Sequence, residues 1–234
     1  MRKKFVILLL PFSIVLLGLI VFNRVSETQQ QRKEVPSHNR LKWYASEGKR
    51  EGRGRVTIPA PMVEYLGSAN RNIEQVLNDY TFVVAQPVTK RTLQIDDNNL
   101  ITWYKFRIEE TLSPVRSPAC PSCVSLSPPA DLPIDYNSEF LIPRGGGIVT
   151  IDDVEVEQTE AGSSEFKDNQ KYLLVISLYA NRVAYTAGGP LGVFEINPNE
   201  HLTAISKSSN IISDGVKSKF DNSLTSLRAR LKRE

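Results

Sequence analysis

The sequence predicts a mainly β protein. It comprises a small antiparallel β-barrel, closed or nearly so, with one short helix before the first strand, a C-terminal amphipathic helix and an N-terminal transmembrane helix. Three observations carry this reading. Segments in which apolar and polar residues alternate recur through the middle of the chain, cut by Gly- and Pro-rich corners. Helical spacing shows only in a short stretch before these segments and in one after them. The chain also begins with an uncharged apolar run unlike any later segment.

Arg2, Lys3 and Lys4 precede Phe5–Phe22, an apolar-dominated run free of charge. As a helix it would measure about 27 Å, close to the hydrocarbon thickness of a bilayer. The exit, Asn23-Arg24-Val25-Ser26, offers no small-x-small cleavage site, which favours an uncleaved signal-anchor over residues 1–22. The dense basic start places the N-terminus in the cytoplasm and the domain outside. The alternative is secretion after signal cleavage. Residues 23–55 are polar and basic, with Gly alternating with charge from Gly48 to Arg55, and are expected to form a flexible stalk.

A short helix is expected over Ser68–Tyr80. Asn72 and Gln75 have N-cap and N3 spacing, and Ile73, Val76, Leu77 and Tyr80 share a face. Thr81–Gln86 reads as a strand ending near Pro87. From Leu100 to Leu112 the alternation is long. Leu100, Thr102, Tyr104, Phe106, Ile108 and Leu112 are expected on one face, and Trp103, Lys105, Arg107, Glu109 and Thr111 on the other, with Phe82–Leu93 as hairpin partner. A Pro-rich loop comes next, from Ser113 to Pro133. Further strands are expected at Phe140–Pro143, Ile148–Ile151, Val154–Glu157, Lys171–Tyr179, Arg182–Thr186, Gly192–Ile196 and His201–Ile205, the most apolar being Lys171–Tyr179. The domain body spans 56–209. In the tail, 210–234, Val216, Phe220, Leu224, Leu227 and Leu231 form one stripe, fit either for docking on the body or for resting on anionic lipid.

Composition and charge exclude several classes. Of 234 residues, 41% are hydrophobic and 24% charged, which is ordinary for a globular chain and excludes collagen-like, polytopic and wholly disordered ones. Two cysteines and two histidines exclude a disulfide-rich mini-domain and a four-cysteine zinc site. The net charge of +3 hides an acidic middle: +8 over residues 1–55, −9 over 56–215 and +4 over 216–234. An acidic body opposes phosphate binding, so no nucleic acid is expected on the barrel. The basic stalk and C-terminal helix remain candidates for anionic lipid.

About 120 residues of strand suit an OB-type barrel of five or more strands. The order is the helix, then Thr81-Phe82-Val83-Val84-Ala85, Tyr104-Lys105-Phe106-Arg107-Ile108 and the Arg144-Gly145-Gly146-Gly147 corner. Phe166, Tyr172-Leu173-Leu174-Val175 and Gly188-Gly189-Pro190-Leu191-Gly192-Val193-Phe194 complete it. Together these resemble the netrin/tissue-inhibitor-of-metalloproteinase-like OB-fold domain of uncharacterised bacterial exported proteins, over roughly residues 70–205. The inhibitors of that family open on a metal-chelating Cys and carry several disulfides. This chain lacks both features, so inhibitor activity does not carry over.

Cys120-Pro121-Ser122-Cys123 has the spacing of a redox dithiol or half a zinc site. It lies in a Pro-rich loop without a following helix, so a local disulfide is the expected state in an exported domain. Arg144, Gly145, Gly146 and Gly147 offer backbone N–H groups for an anion nest, but a strand comes after them, so a barrel corner is the better reading. Asp152, Asp153, Glu155, Glu157 and Glu160 form an acidic run without a calcium-loop glycine, and read as a solvated strand face. No metal ligands, cofactor or catalytic residues are assigned. Ser164-Glu165-Phe166-Lys167 matches S-x-x-K by spelling only, and neither His38 nor His201 has a visible nucleophile partner. The expected function is a membrane-anchored extracytoplasmic β-barrel module, non-catalytic, binding a protein or envelope component. The alternative is an exported thiol-redox or metal-handling protein using Cys120 and Cys123.

Overall fold

The structure, a computed structural model, describes residues 35, 37–60, 72–116, 126–160, 164–206 and 211–232. The chain divides between Ser37 and His38, and every helix and strand described belongs to the second unit, His38–Glu234. The apolar run 5–22 lies outside the described residues. Among those described, no helix is long and apolar enough to cross a membrane.

The fold is mainly β. Ten strands and four α-helices are described: α1 (Arg40–Arg50), β1 (Arg55–Pro59), α2 (Ile73–Asp79), β2 (Thr81–Gln94), β3 (Leu100–Thr111), β4 (Glu139–Gly145), β5 (Gly147–Ile151), β6 (Val154–Thr159), β7 (Tyr172–Leu178), β8 (Ala184–Thr186), β9 (Val193–Ile196), β10 (Leu202–Ala204), α3 (Ile211–Phe220) and α4 (Leu224–Leu231). The main sheet runs β10-β9-β7-β2-β3-β4, with β8 paired to β7. The strand pairs within it are antiparallel.

Helix α2 starts where the sequence sets it. The Asn72 side chain accepts from the Gln75 backbone N–H at 2.9 Å, and the Gln75 side chain accepts from the Asn72 N–H at 3.0 Å, a reciprocal capping box. Strand β2 is longer than expected. It runs through Pro87 to Gln94, because Pro87 is accommodated beside a bulge that leaves Val88 unpaired. Strand β7 covers the other edge of β2 only over Thr81–Ala85.

All seven residues of β7 are buried, because both faces of the sheet are covered there. One face, with Phe82, Val84, Leu173, Val175 and Phe194, packs against α2, α3 and α4. The other, with Val83, Ala85, Tyr104, Phe106, Phe140, Tyr172, Leu174 and Ile176, lines the inside of the sheet's curl. A bulge at Glu109 divides the long alternation of β3, for Val84 pairs with Glu110 and Ala85 with Ile108. Residues beyond it change face. Ile108 packs inside the curl with Phe106, whereas Leu112 joins the helix-covered face, not the Phe106 face that simple alternation assigns.

The main sheet does not close into a barrel. Its ladders end at β4 and β10, and β4 meets the segment leading into β8 through one parallel bridge, Leu141 to Val183, with the Leu141 N–H donating to the Arg182 carbonyl at 2.9 Å. The reason is local. Strand β8 has three residues, entered from Arg182 at φ 61° and left through Gly188 at φ 60°, so it is too short for a second ladder.

A second sheet, β1-β6-β5, joins β1 and β6 in parallel and β6 and β5 antiparallel. It packs Val56, Ile58, Val154 and Val156 against Leu41 and Ala45 of α1. The expected flexible stalk over 23–55 is therefore corrected in its second half, and the folded body starts by Arg40, not at residue 56. Gly48 reads as a helix breaker but sits on the buried face, where a Cβ would lie 2.5 Å from Val56 Cγ2. Leu100 and Gln158 tie the two sheets together. The Gln158 side chain accepts from the Leu100 N–H at 2.8 Å and donates to the Asn98 carbonyl at 3.0 Å.

The single C-terminal helix is also corrected. Asp221 and Asn222, both at φ 51°, break it into α3 and α4. The predicted stripe survives the break. Val216, Phe220, Leu224, Leu227 and Leu231 are all buried in the helix-covered face, so this stripe is not available to lipid.

Candidate functional site

Strand β4 carries Arg144 to the rim of the curl, where the glycine corner turns the chain into β5. The Arg144 Nη2 lies 2.9 Å from Glu160 Oε2, both side chains being about one-tenth exposed, and Nη1 donates to the Ser164 carbonyl at 3.0 Å. Its guanidinium carbon stands 5.1 Å from the centre of the Phe166 ring, a cation–π contact. Phe166 in turn packs edge-on against Tyr104, Phe106 and Tyr172, at 4.9, 4.8 and 5.1 Å between ring centres. The aromatic plug and the arginine thus close one end of the curl. Burial pulls the Arg144 pKa down, and negative charge on neighbouring groups, Glu165 at neutral pH, opposes that pull.

A cleft of about 70 Å³ opens here, lined by Thr102, Tyr104, Arg144, the three glycines, Gln158 and Glu165 among others. Burial first, and the Glu165 carboxylate second, push the Tyr104 phenol up to about 12, so it stays protonated at neutral pH. The corner itself is a packing device. The Gly146 N–H donates to the Leu100 carbonyl at 2.8 Å, and Thr102 Oγ1 donates to the Gly146 carbonyl at 2.8 Å. A Cβ on Gly146, at φ 93°, would lie 2.3 Å from the Gln158 carbonyl oxygen. Of the anion-nest residues, Gly146 therefore has its amide committed to the fold, and Arg144 has its ion-pair partner beside it.

The acidic run does not converge. Asp152 and Asp153, both at positive φ, form the β5–β6 turn, and Glu155 and Glu157 face Arg55 at 3.8 and 3.0 Å. Glu160 faces Arg144. Among the described residues, no group of three or more His, Cys, Asp or Glu side chains is placed to hold a metal ion. Ser164 contributes its carbonyl to Arg144, and Phe166 belongs to the core, which gives the S-x-x-K spelling a structural use. His201 forms a bridge to Ser223. Cys120 and Cys123 lie outside the described residues.

A second cleft, of about 430 Å³, escapes sequence reasoning. It is lined by Val84, Glu109, Glu110, Lys171, Glu200 and Arg228, with four further residues. Arg228 of α4 reaches Glu110 of β3 at 2.8 Å and Glu200 of the β9–β10 turn at 3.1 Å. The bulge at Glu109 makes this possible, because it turns Glu110 toward the helices. The Thr225 hydroxyl donates to Glu200, and that bond, followed by Arg228, holds the Glu200 carboxyl below the ordinary glutamate range. Separations of 118 and 28 residues leave no local sequence signal for this clamp. Compared with family models, curated proteins and solved structures, the chain matches none.

Proposed function

We propose that the chain is a membrane-anchored extracytoplasmic β module of OB-like type that binds a protein or envelope component without chemistry of its own. The observation that carries the reading is how the charged groups of both clefts are used. Arg144 with Glu160, and Arg228 with Glu110 and Glu200, each join segments distant in sequence. They serve as rivets of a scaffold. The OB-like assignment is supported by the order of pairing. Strands β2, β3 and β4 form a meander, β7 lies antiparallel to β2, β8 antiparallel to β7, and the entry to β8 touches β4 in parallel. That order is in keeping with the circuit of a five-stranded, partly open Greek-key barrel. The netrin/tissue-inhibitor-like resemblance belongs to the same proposal, as does the anchor at residues 5–22, supported by its length, apolarity and basic start.

The test uses the full chain in its native membrane, with a C-terminal tag. Carbonate-resistant membrane association and protease access to the tag from outside are expected. Photo-crosslinking from Arg107, an exposed residue of β3, should capture one reproducible partner, and the purified partner should bind equally to the C120S/C123S variant. Loss of binding in that variant, or an exchangeable low-pKa thiol, would replace this reading with the thiol-redox or metal-handling one.

A further inference from the structure

The larger cleft, of about 430 Å³, falls within the roughly 300–1,000 Å³ of ligand pockets. Its apolar lining is Val84, Ile196 and Leu224, all three buried. Its charged lining is unequal. Glu109, Glu110 and Glu200 bring three carboxylates against two cations, Lys171 and Arg228. Lys171 meets Glu109 at 2.6 Å. Arg228 serves two acids at once, for its Nε and Nη2 donate to Glu110 and its Nη1 donates to Glu200. Every nitrogen of the guanidinium is thus engaged, and one carboxylate charge is left without a cation of its own among the lining residues. The two acids still have lone pairs to offer, because a carboxylate can accept about four hydrogen bonds. A carboxylate or phosphate entering here would find its cations taken, whereas one more positive charge would balance the lining. The whole body has the same sign, −9 over residues 56–215, which draws basic partners from a distance.

We propose that this cleft receives a lysine side chain of a partner protein, its stem on Val84, Ile196 and Leu224 and its ammonium at the unbalanced carboxylates Glu110 and Glu200. A methylene stem on an apolar floor with a charged head at the rim is the way long basic side chains are buried. The inference deepens the protein-binding reading and rests on it. It gives the Arg228 clamp a second use. The clamp holds α4 to β3 and the β9–β10 turn, and because it spends one cation on two acids it leaves the charge that a basic partner completes.

The probe is Nα-acetyl-lysine methylamide, titrated into the full chain in mild detergent and followed at the methyl resonances of Val84, Ile196 and Leu224. The norleucine analogue keeps the stem without the charge, and the glutamate analogue reverses the charge. The expected result is that the lysine probe shifts all three residues, the norleucine analogue binds more weakly and the glutamate analogue leaves them unmoved. Two variants outside the Arg228 clamp set the sign. E109Q removes a negative charge from the lining and should weaken lysine binding by about two- to fivefold, and K171Q removes a positive one and should strengthen it by a similar factor. Both keep Arg228 with its two acids, and an unchanged denaturant midpoint checks that the fold is retained. Equal binding of the norleucine analogue, preference for the glutamate analogue, or a change in the same direction in E109Q and K171Q overturns the proposal. These titrations need neither bilayer nor partner. Failure of the protein-binding reading shows separately, as photo-crosslinking that captures nothing. For a partner that is captured, affinity should fall in the order K171Q, parent, E109Q, and a partner indifferent to both substitutions refutes the docking.

Discussion

The Gly48→Ala substitution separates a docked helix α1 from a flexible tether by the sign of its effect. In a solvated chain the added methyl favours helix by about 1 kcal/mol. In the structure the same Cβ lands 2.5 Å from Val56 Cγ2 and 3.2 Å from Val154 Cγ1, whereas carbon atoms rest about 3.5–4.0 Å apart. Val56 is branched at Cβ and cannot swing away freely, and it is itself buried. Overpacking of this kind costs about 1–3 kcal/mol. The contact outweighs the propensity gain, leaving a net loss of about 1 kcal/mol, with 2 as the upper end. The assay is hydrogen exchange on the full chain, read at the α1 amides. Opening should become about 5–30-fold more frequent, the factor that 1–2 kcal/mol implies. In a Val56→Ala background the clash is relieved, so Gly48→Ala should there be neutral or protective. Slower exchange of α1 in the Gly48→Ala single variant would refute the docking.

Arg228→Ala should lower stability by about 1 kcal/mol, because its pairs are partly exposed and screened, with denaturant melts as the measure. The Glu200 carboxyl is depressed below its ordinary value of 4.5, so its contribution is present above that pH and fades as pH falls through the lower folded-state value. Arg228→Ala should therefore flatten the acid limb of stability against pH, and an unchanged limb would contradict the clamp. The raised phenol of Tyr104 predicts the opposite limb. The stability it contributes is complete below pH 10 and is lost as pH rises through about 12. Tyr104→Phe should then shift alkaline unfolding to higher pH, and spectrophotometric titration should lose its most basic tyrosine.

Much of this arrangement is legible in the sequence, where the signal is local. The Asn72–Gln75 box needs only three residues to state, and the β3 alternation holds from Leu100 to Ile108. Sequence reading fails where the decisive contact is remote or where its sign is an absence. Gly48 looks like a linker residue because the feature that matters is a missing side chain facing Val56. Simple alternation puts Leu112 on the wrong face because one extra residue at Glu109 inverts the parity of everything after it. The C-terminal stripe is legible as a stripe, but two residues at positive φ cut it in half, and nothing in its spacing marks them. The Arg228 clamp needs β3, the β9–β10 turn and α4 brought together, which no window of sequence contains.

Past Ala85, strand β2 pairs with a strand on one side only among the described residues, and an unpaired row of backbone groups is an invitation to copy-upon-copy stacking. Two residues decline it. Pro87 has no amide to offer, and the kink at Val88 puts the groups on either side out of step with any straight visitor. Replacing Pro87 by a β-former would restore an amide at that position and remove one of the two interruptions.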